Sequence, residues 1–427
     1  FNSTQNYSWL IASTTTGISG FDTAKFTLDT STFTNPPGGG SFALSQVGNN
    51  LFLNFNGVST PPQWNVDASG SWATAANWLP PSVPNGATAV ANFLGKITAP
   101  RTVTLDGDKT VASITFDNGN TYTIAPGSGG TLTIGNGTTG SITVTSGSHV
   151  ISAPIAFAGA LSKSGSGTLT ISGTQNHPAG ANLLVNAGGL NLNSNSGTPA
   201  TAGSAAIVNF SIDLHNSGQV TLGADQDMRE LDVFTGDAGP QQLNLNTPVA
   251  AGAFRAVRIH TGDLSGVKAS LWSALTHAQA AGAADPTDGI FDTGLGFHPN
   301  SKIGLAQVLD AHGDAMILMR PTRIGDLNLD GQVTISDFID LASHFNTSGA
   351  TWQEGDLNYD SQVTISDFID LASNFNTNYA GEVFPMSAQD QQVLNAFAAS
   401  IGAPVPEPAA LLLPIGIGFC ARRRRVQ

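Results

Sequence analysis

The sequence predicts a mainly β protein with three parts: a parallel β-helix or solenoid body, a small all-α module of paired loop–helix units, and a C-terminal apolar tail. Short alternating strands between residues 106 and 193 favour the body. A 23-residue segment occurs twice, at 325–347 and 355–377, with three differences, and predicts the module. The composition fits a β-rich chain, because only 11% of the 427 residues are charged and 49 are glycine.

The first 62 residues contain strand-like runs at Lys25–Leu28 and Asn50–Phe55, on either side of a Pro-Pro-Gly-Gly-Gly turn. Clusters of Gly and Pro commonly separate strands. We therefore expect residues 1–62 to be the end of an upstream β domain.

Residues 63–200 are the predicted solenoid. Apolar residues alternate here with Thr or Ser, so one face of each strand is buried and the other is wetted. The apolar pairs are Ile114/Phe116, Leu132/Ile134, Ile142/Val144, Leu169/Ile171 and Leu190/Leu192. Strands recur at steps of roughly 10 residues with no helical interruption, which is typical of a solenoid.

Residues 161–193, LSKSGSGTLTISGTQNHPAGANLLVNAGGLNLN, resemble the passenger-associated repeat of autotransporter-type surface proteins over one repeat. That resemblance implies a right-handed parallel β-helix. Upstream, Trp64, Trp72 and Trp78 are spaced along a Gly/Ser/Pro-rich stretch. We interpret them as a cap that closes the hydrophobic end of the solenoid. Exposed indole rings that stack on sugars are the alternative.

The solenoid lacks the residues that glycosidic chemistry needs. Residues 118–212 contain no Asp or Glu, and their one charged residue is Lys163, whereas glycoside hydrolysis uses a pair of carboxylates. His149 and His177 have no acidic neighbour in the sequence to act with them as general bases. We expect both to be turn or surface histidines, and we assign no catalytic residue.

Residues 201–320 are predicted to be a mixed, β-rich region with one helix. Strands are expected at Gln219–Leu222, Gln242–Leu245, Val257–Ile259 and Ala315–Met319. A helix over about 266–281 would place Val267, Leu271, Trp272 and Leu275 on one face. The loop aspartates Asp285, Asp288 and Asp292 are interpreted as solvated turn residues, with a further cation site as the alternative.

The duplicated segment lies in a predicted module at residues 321–378 and carries the chemistry of a calcium loop. Ca²⁺ takes oxygen ligands, commonly from loop positions 1, 3, 5, 7, 9 and 12. The first copy fills these positions with Asp326, Asn328, Asp330, Gln332, Thr334 and Asp337, and the second with Asp356, Asn358, Asp360, Gln362, Thr364 and Asp367. The glutamines would offer main-chain carbonyls, and the threonines would act through a water.

These ligand sets predict two bound Ca²⁺ ions. Position 6 needs a sharp turn, for which Gly331 is suited, whereas the second copy has Ser361 and is predicted to bind more weakly. An Asp/Asn-rich turn that merely caps a helix is the alternative.

The pair resembles a type I dockerin, a paired EF-hand-like module, over about residues 324–378, with Asp rather than Glu at position 12. Dockerins bind cohesin domains through their helices, and residues at loop positions 10 and 11 help to set partner choice. The resemblance therefore implies a cohesin-like partner contacted by Ile335, Ser336, Ile365 and Ser366.

Residues 379–404 are predicted to be a linker with an amphipathic helix. Ser387 and Asp390 have the spacing of a capping box. Val393, Leu394, Phe397 and Ile401 form the apolar stripe of the helix, and Gly402 would end it. The helix is expected either to dock on the calcium module or to act as a spacer.

The tail, residues 405–427, combines a Pro-Glu-Pro tripeptide, a short apolar run and a block of arginines. The defining residues are Pro406, Glu407, Pro408, Arg422, Arg423, Arg424 and Arg425. This order resembles a PEP-CTERM sorting signal. The resemblance implies an exosortase-type processing enzyme as partner, transient membrane contact through the tail, and an exported protein of the cell envelope, cell surface or extracellular space.

Charge and cysteine content exclude other classes of protein. The net charge is −14, with 30 acidic and 16 basic residues, so the chain lacks the basic footprint of a nucleic-acid-binding protein. The single cysteine, Cys420, rules out an internal disulfide.

These observations favour an exported cell-surface structural or adhesion protein, not an enzyme, with a calcium-dependent docking module. Extracellular polysaccharide is a candidate ligand of the body. The alternative is a component of a polysaccharide-degrading system whose catalytic domain lies upstream or within residues 201–320. A third interpretation makes the calcium pair an internal stabiliser without a cohesin partner.

Overall fold

The computed structural model describes residues 1, 5–34, 40–57, 60–197, 210–235, 238–280 and 288–402. The protein is mainly β, with 40% strand and 16% helix, and has large parallel sheets. The tail predicted at 405–427, including Pro406, Glu407, Pro408 and Arg422–Arg425, lies outside the described residues, as does Asp285.

The N-terminal region forms a small antiparallel sheet of three strands, in the order β1–β3–β2. The strands are β1 (Tyr7–Ser13), β2 (Ser41–Val47) and β3 (Asn50–Asn56). The strand expected at Lys25–Leu28 is absent from the described residues. A 3₁₀ turn at Thr23–Lys25 takes its place, because the Asp22 side chain accepts a hydrogen bond from Ala24 N at 3.0 Å and closes the backbone locally.

Fifteen strands follow between Gln63 and Leu192. They are β4 (Gln63–Trp64), β5 (Gly70–Ser71), β6 (Trp78–Leu79), β7 (Val90–Phe93), β8 (Arg101–Asp106), β9 (Lys109–Val111), β10 (Ser113–Asp117), β11 (Tyr122–Gly129), β12 (Leu132–Ile134), β13 (Thr139–Ser146), β14 (Ser148–Ile151), β15 (Ile155–Phe157), β16 (Ala160–Ser164), β17 (Thr168–Ile171) and β18 (Ala181–Leu192). All pairs among β7 to β18 are parallel.

The pairs form three ladders that the chain visits in turn. One ladder is β8–β11–β14–β17 and the second half of β18, another is β9–β12–β15, and the third is β7–β10–β13–β16 and the first half of β18. Equivalent residues stack in register, as Ile114 does on Ile142 and Phe116 on Val144. The five predicted apolar pairs are all buried, so the predicted alternation is confirmed.

His149 and His177 are buried within this body, so the prediction that they are turn or surface residues is wrong. The His149 ring stacks on Phe116 with centroids 4.7 Å apart, and Nδ1 accepts from Tyr122 N. The His177 ring lies between Phe157 and Phe210, with centroid distances of 4.5 and 4.4 Å. Each ring satisfies a main-chain amide while it stacks on an aromatic ring, which an isolated stretch of sequence does not reveal.

The three tryptophans close the start of the ladders. Trp64, Trp72 and Trp78 are at most 1% exposed and pack edge to face, with Trp78 5.4 Å from Trp64 and 5.1 Å from Trp72 between ring centroids. Trp72 donates to Pro84 O and Trp78 to Trp72 O. Burial of all three rings contradicts the sugar-stacking alternative.

The parallel sheet continues past residue 200 and then meets a second sheet. The elements are β19 (Phe210–Leu222), β20 (Gln226–Met228), β21 (Glu230–Val233), β22 (Gln242–Asn244), β23 (Val257–Ile259), α1 (Leu264–Ala280), β24 (Gly289–Phe291), β25 (Ser301–Leu309) and β26 (Ala315–Arg323). Strand β19 pairs with both halves of β18, and the four-stranded sheet has the order β20–β23–β26–β25. The predicted helical face is confirmed, since Val267, Leu271, Trp272 and Leu275 are buried.

Three short helices complete the described chain: α2 (Ile335–Ser343), α3 (Ile365–Ser373) and α4 (Ala388–Ile401). Helix α4 begins after Ser387, whose side chain accepts from Asp390 N at 3.0 Å, and ends at Gly402 with φ +68°. The ring of Phe397 lies 5.1 Å from Phe338 and 5.4 Å from Phe368. Helix α4 therefore docks on the duplicated loop–helix units.

Candidate metal centre

The position-1 carboxylates organise the two predicted calcium loops in the same way. Asp326 Oδ1 accepts from Asp330 N at 3.1 Å, and Oδ2 accepts from Gly331 N at 2.9 Å. In the second loop Asp356 accepts from the corresponding amides of Asp360 and Ser361 at 3.1 and 2.7 Å. Both loops therefore wrap around a buried carboxylate at position 1.

The position-12 carboxylates close each loop from the first turn of the following helix. Asp337 Oδ1 accepts from Leu327 N and Oδ2 from Thr334 N, each at 2.9 Å. Asp367 makes the equivalent bonds, also at 2.9 Å. Thr334 and Thr364 complete capping boxes, which satisfy amides at the helix N-termini.

The remaining predicted ligands are half-buried or exposed. Asn328 Oδ1 accepts from Asp330 N at 2.8 Å, and Asn358 Oδ1 from Asp360 N at 2.9 Å. Gln332 and Gln362 are held by bonds from their main-chain amides to the aspartate two residues earlier, at 2.8 and 2.9 Å. Asp330 and Asp360 are exposed, whereas the position-1 and position-12 carboxylates are fully buried.

Burial has a clear electrostatic effect on these acids. It raises the pKa of Asp326 to about 7, with the nearby Asp337 adding to the effect. It also raises the pKa of Asp337 and of Asp356 to about 6. Buried carboxylates with raised pKa values are favourable sites for a positive charge, because a cation removes the cost of keeping them ionised.

The donor set fits Ca²⁺. Each loop offers carboxylate, amide, hydroxyl and main-chain oxygens in the pattern that Ca²⁺ takes, and neither loop contains a nitrogen or sulfur ligand. No group of three or more His, Cys, Asp or Glu side chains in the described part of the chain converges closely enough to hold a metal unaided. A Ca²⁺ ion held by Asp326, Asp330 and Asp337 would therefore also need side-chain amide, threonine and main-chain oxygens as ligands.

The two loops are joined reciprocally. Val333 N donates to Thr377 O, beyond the second helix, at 2.9 Å, and Val363 N donates to Thr347 O, beyond the first helix, at 3.1 Å. Each loop is thus bonded to the last residue of the other copy.

The predicted partner-binding residues are partly accessible. Ser336 and Ser366 are exposed, Ile365 is 43% exposed, and Ile335 is half-buried. The prediction did not include Ile339 and Ile369, which lie one turn along the same helices and are 56% and 37% exposed. Their helical spacing from Ile335 and Ile365 was the available signal.

A separate cavity of about 350 Å³ was also missed by the sequence predictions. Asp227, Arg258, His260, Asp310 and His312 are among its lining residues. His260 is buried, neither ring nitrogen has a hydrogen-bond partner, and Nε2 lies 3.8 Å from Asp227 Oδ1. These residues come from separate strands and a hairpin, so no local spacing in the sequence marks them.

Comparisons with known proteins return nothing: no protein-family model, no curated protein and no solved structure matches this chain. In the ranges that the structure describes, no helix has the length and apolar character needed to cross a membrane.

Proposed function

We propose that this chain is an exported structural protein of a cell surface, with a β-solenoid body and a module that binds two Ca²⁺ ions. The observation that carries the proposal is the matched geometry of the two loops. In each loop the carboxylates at positions 1 and 12 are buried and receive main-chain amides from their own loop.

The solenoid is supported by the order of the strands. The chain passes from β8 to β9 to β10, then through β11 to β13 and β14 to β16, and enters the same three ladders in the same order each time. Parallel pairing in register and a continuous buried stack favour a β-helix over a sheet with helical crossovers. The resemblance of residues 161–193 to an autotransporter-type repeat agrees with this.

The module is proposed to work as a dockerin-like docking element. Ile335, Ser336, Ile365 and Ser366 would contact a cohesin-like protein, and the exposed Ile339 and Ile369 extend that surface. The tail would be read by an exosortase-type enzyme after transient membrane contact. Extracellular polysaccharide is the proposed ligand class for the body.

Calorimetric titration of the chelator-treated full chain with Ca²⁺ tests the central proposal. We expect two binding events in the wild type, one in Asp326→Ala, one in Asp356→Ala and none in the double variant. Asp390→Ala, which alters a half-buried acid on α4 that is not a predicted ligand, is the matched control and should keep both events. If the wild-type protein takes up no Ca²⁺ in this titration, the proposal is refuted.

The alternative, a polysaccharide-degrading component, is favoured by one observation, the cavity beside Asp227 and His260. A hydrolase would use the buried Asp227 carboxylate as acid or base there. Release of reducing sugar from a panel of polysaccharides would then be lost in Asp227→Asn. No release by the wild type would eliminate this alternative for the present chain.

A further inference from the structure

The predicted calcium loops are packed on the four-stranded sheet β20–β23–β26–β25 through a residue that is not a predicted metal ligand. Position 4 is occupied by Leu329 in the first loop and Tyr359 in the second, with φ of +59° and +65°. Both residues are at most 9% exposed. A left-handed backbone is unfavourable for residues with such side chains, so the loop must hold each in place.

Leu329 and Tyr359 meet the same short stretch of β25. A Cβ on Gly304 would lie only 2.3 Å from Leu329 Cδ2, so the leucine rests directly on the glycine backbone. The Tyr359 hydroxyl donates to Ile303 O at 2.8 Å, across 56 residues of sequence. The two loops therefore contact neighbouring residues of one strand.

The segment between the loops strengthens the same attachment. Trp352 is fully buried, and its indole N–H donates to Asp326 O at 2.7 Å, while a Cβ on Gly304 would lie 2.9 Å from that nitrogen. The Gln353 side chain accepts from Gln307 N at 3.0 Å and donates to Gln307 O at 3.2 Å.

Strand β26 contacts the first loop through its metal-ligand set. The Thr322 hydroxyl donates to Asp326 Oδ2, and the Arg320 guanidinium lies 3.9 Å from the same oxygen. Only Ile324 and Gly325 separate the end of β26 from Asp326. A change in the first loop is thus passed directly to the strand that pairs with β25 over its whole length.

We propose that calcium binding is coupled to the order of the β25–β26 hairpin, because the loaded loops hold Leu329 and Tyr359 in the conformation that seats them on Ile303 and Gly304. This inference rests on the proposed calcium sites. Its physical basis is that, without metal, the loop carboxylates repel one another and the left-handed residues lose the closed loop that holds them. The calcium pair then acts on the four-stranded sheet of its own chain in addition to any partner.

Coupling of this kind is reciprocal: if calcium orders the strand, then the strand must raise the affinity for calcium by the same factor. Gly304→Ala places a methyl group where Leu329 and Trp352 sit, without touching any predicted ligand. We expect this variant to bind Ca²⁺ about tenfold more weakly, within the usual range for coupled sites. Gly262→Ala is the matched control, because a Cβ there meets nothing within 4 Å.

The effect of calcium on the order of the β25–β26 hairpin is measured by hydrogen exchange on the full chain, with Ca²⁺ and with chelator. We expect chelation to speed amide exchange at least tenfold in β25 and β26. The three parallel ladders formed by β7 to β18 should keep their protection and are the internal control. Tyr359→Phe removes only the bond to Ile303 O and should speed exchange in the calcium-loaded hairpin. This variant is the alternative test if Gly304→Ala fails to fold.

The outcomes are separable. Calcium uptake in the titration with unchanged hairpin exchange on chelation would overturn the coupling and leave the calcium sites standing. Equal affinities for wild type and Gly304→Ala would overturn it too. Absence of any calcium uptake would overturn both the coupling and the proposed function.

Discussion

The two 23-residue segments that carry the predicted calcium loops are identical at 20 of 23 positions, yet they lie in different surroundings. The first loop presents its position-1 carboxylate to β26, where Thr322 and Arg320 meet it. The second loop faces β25 with its main chain, and Lys302 Nζ donates to Leu357 O at 2.5 Å. None of the described residues outside the second loop donates a hydrogen bond to Asp356. In the first copy the sheet therefore contacts the side chain of the position-1 ligand, whereas in the second copy it contacts a main-chain oxygen of the loop.

Repeats of nearly identical sequence therefore need not contribute equally to stability. In the first copy the predicted metal site and the sheet share an atom, Asp326 Oδ2. In the second copy the site and the sheet are joined through Tyr359, which is not a ligand. The four predictions that follow test these contributions.

The largest effect is expected from removing the position-1 carboxylate. Asp326→Ala leaves Arg320, whose side chain is 12% exposed, and the buried Thr322 hydroxyl without their partner. Losing one member of a buried charged contact costs about 3–5 kcal/mol. Asp356→Ala should cost less, about 1–3 kcal/mol, because it orphans main-chain amides alone. Urea unfolding in excess Ca²⁺, where each variant also loses one bound ion, gives the difference between the two losses. Equal losses would show that the two carboxylates contribute alike.

Acidification should release Ca²⁺ from the first loop before the second. The pKa of Asp326 is raised to about 7 and that of Asp356 to about 6, mainly by burial. Protons then compete with calcium from a higher pH in the first loop, and its affinity should fall about tenfold more between pH 8 and pH 5. Titrations of Asp356→Ala and Asp326→Ala, each with one intact loop, measure the two curves. Superimposed curves would contradict the prediction.

Acidification should weaken calcium binding, but it should stabilise the folded state of the calcium-free protein. Because the folded-state pKa of Asp326 lies above the ordinary value of 3.8, the folded chain takes up protons that the unfolded chain does not. The calcium-free protein should therefore gain stability as pH falls from about 7 toward 4, until other groups titrate. Thermal melts in chelator across this range provide the check.

The smallest effect is expected at position 6. Ser361 has φ +65° where Gly331 has φ +94°, and a side chain in this region costs about 1 kcal/mol. Part of the gain from glycine is offset by its freedom in the unfolded chain. Ser361→Gly should raise second-loop affinity about two- to fivefold, and Gly331→Ser should lower first-loop affinity by a similar factor. Unchanged affinities in both variants would show that position 6 does not distinguish the loops.

Local features of the fold were predictable from the sequence. Val257–Ile259 is a strand with the predicted bounds, Ser387 and Gly402 delimit α4, and the alternating pairs from Ile114 to Leu192 are buried. Each depends on side-chain direction or cap chemistry within a few residues. The ligand spacing of the loops is of the same kind, and calcium binding itself stays a prediction.

Other features depended on contacts between distant segments. The missed burial of His149 and His177 follows from stacking on Phe116 and Phe210, which come from other turns of the chain. The cavity beside His260 joins residues from β20, β23 and the β25–β26 hairpin. Neither feature has a local pattern that would predict it.

The sequence alone determined where β23 and α4 begin, which of the alternating apolar residues face inward, and which oxygens each loop offers. Those properties follow from periodicity and from backbone preferences of single residues. The tertiary structure alone decided that Leu329 and Tyr359 rest on β25 and that Asp326 touches β26. Such contacts depend on how distant segments pack, so two nearly identical loops acquired unequal surroundings.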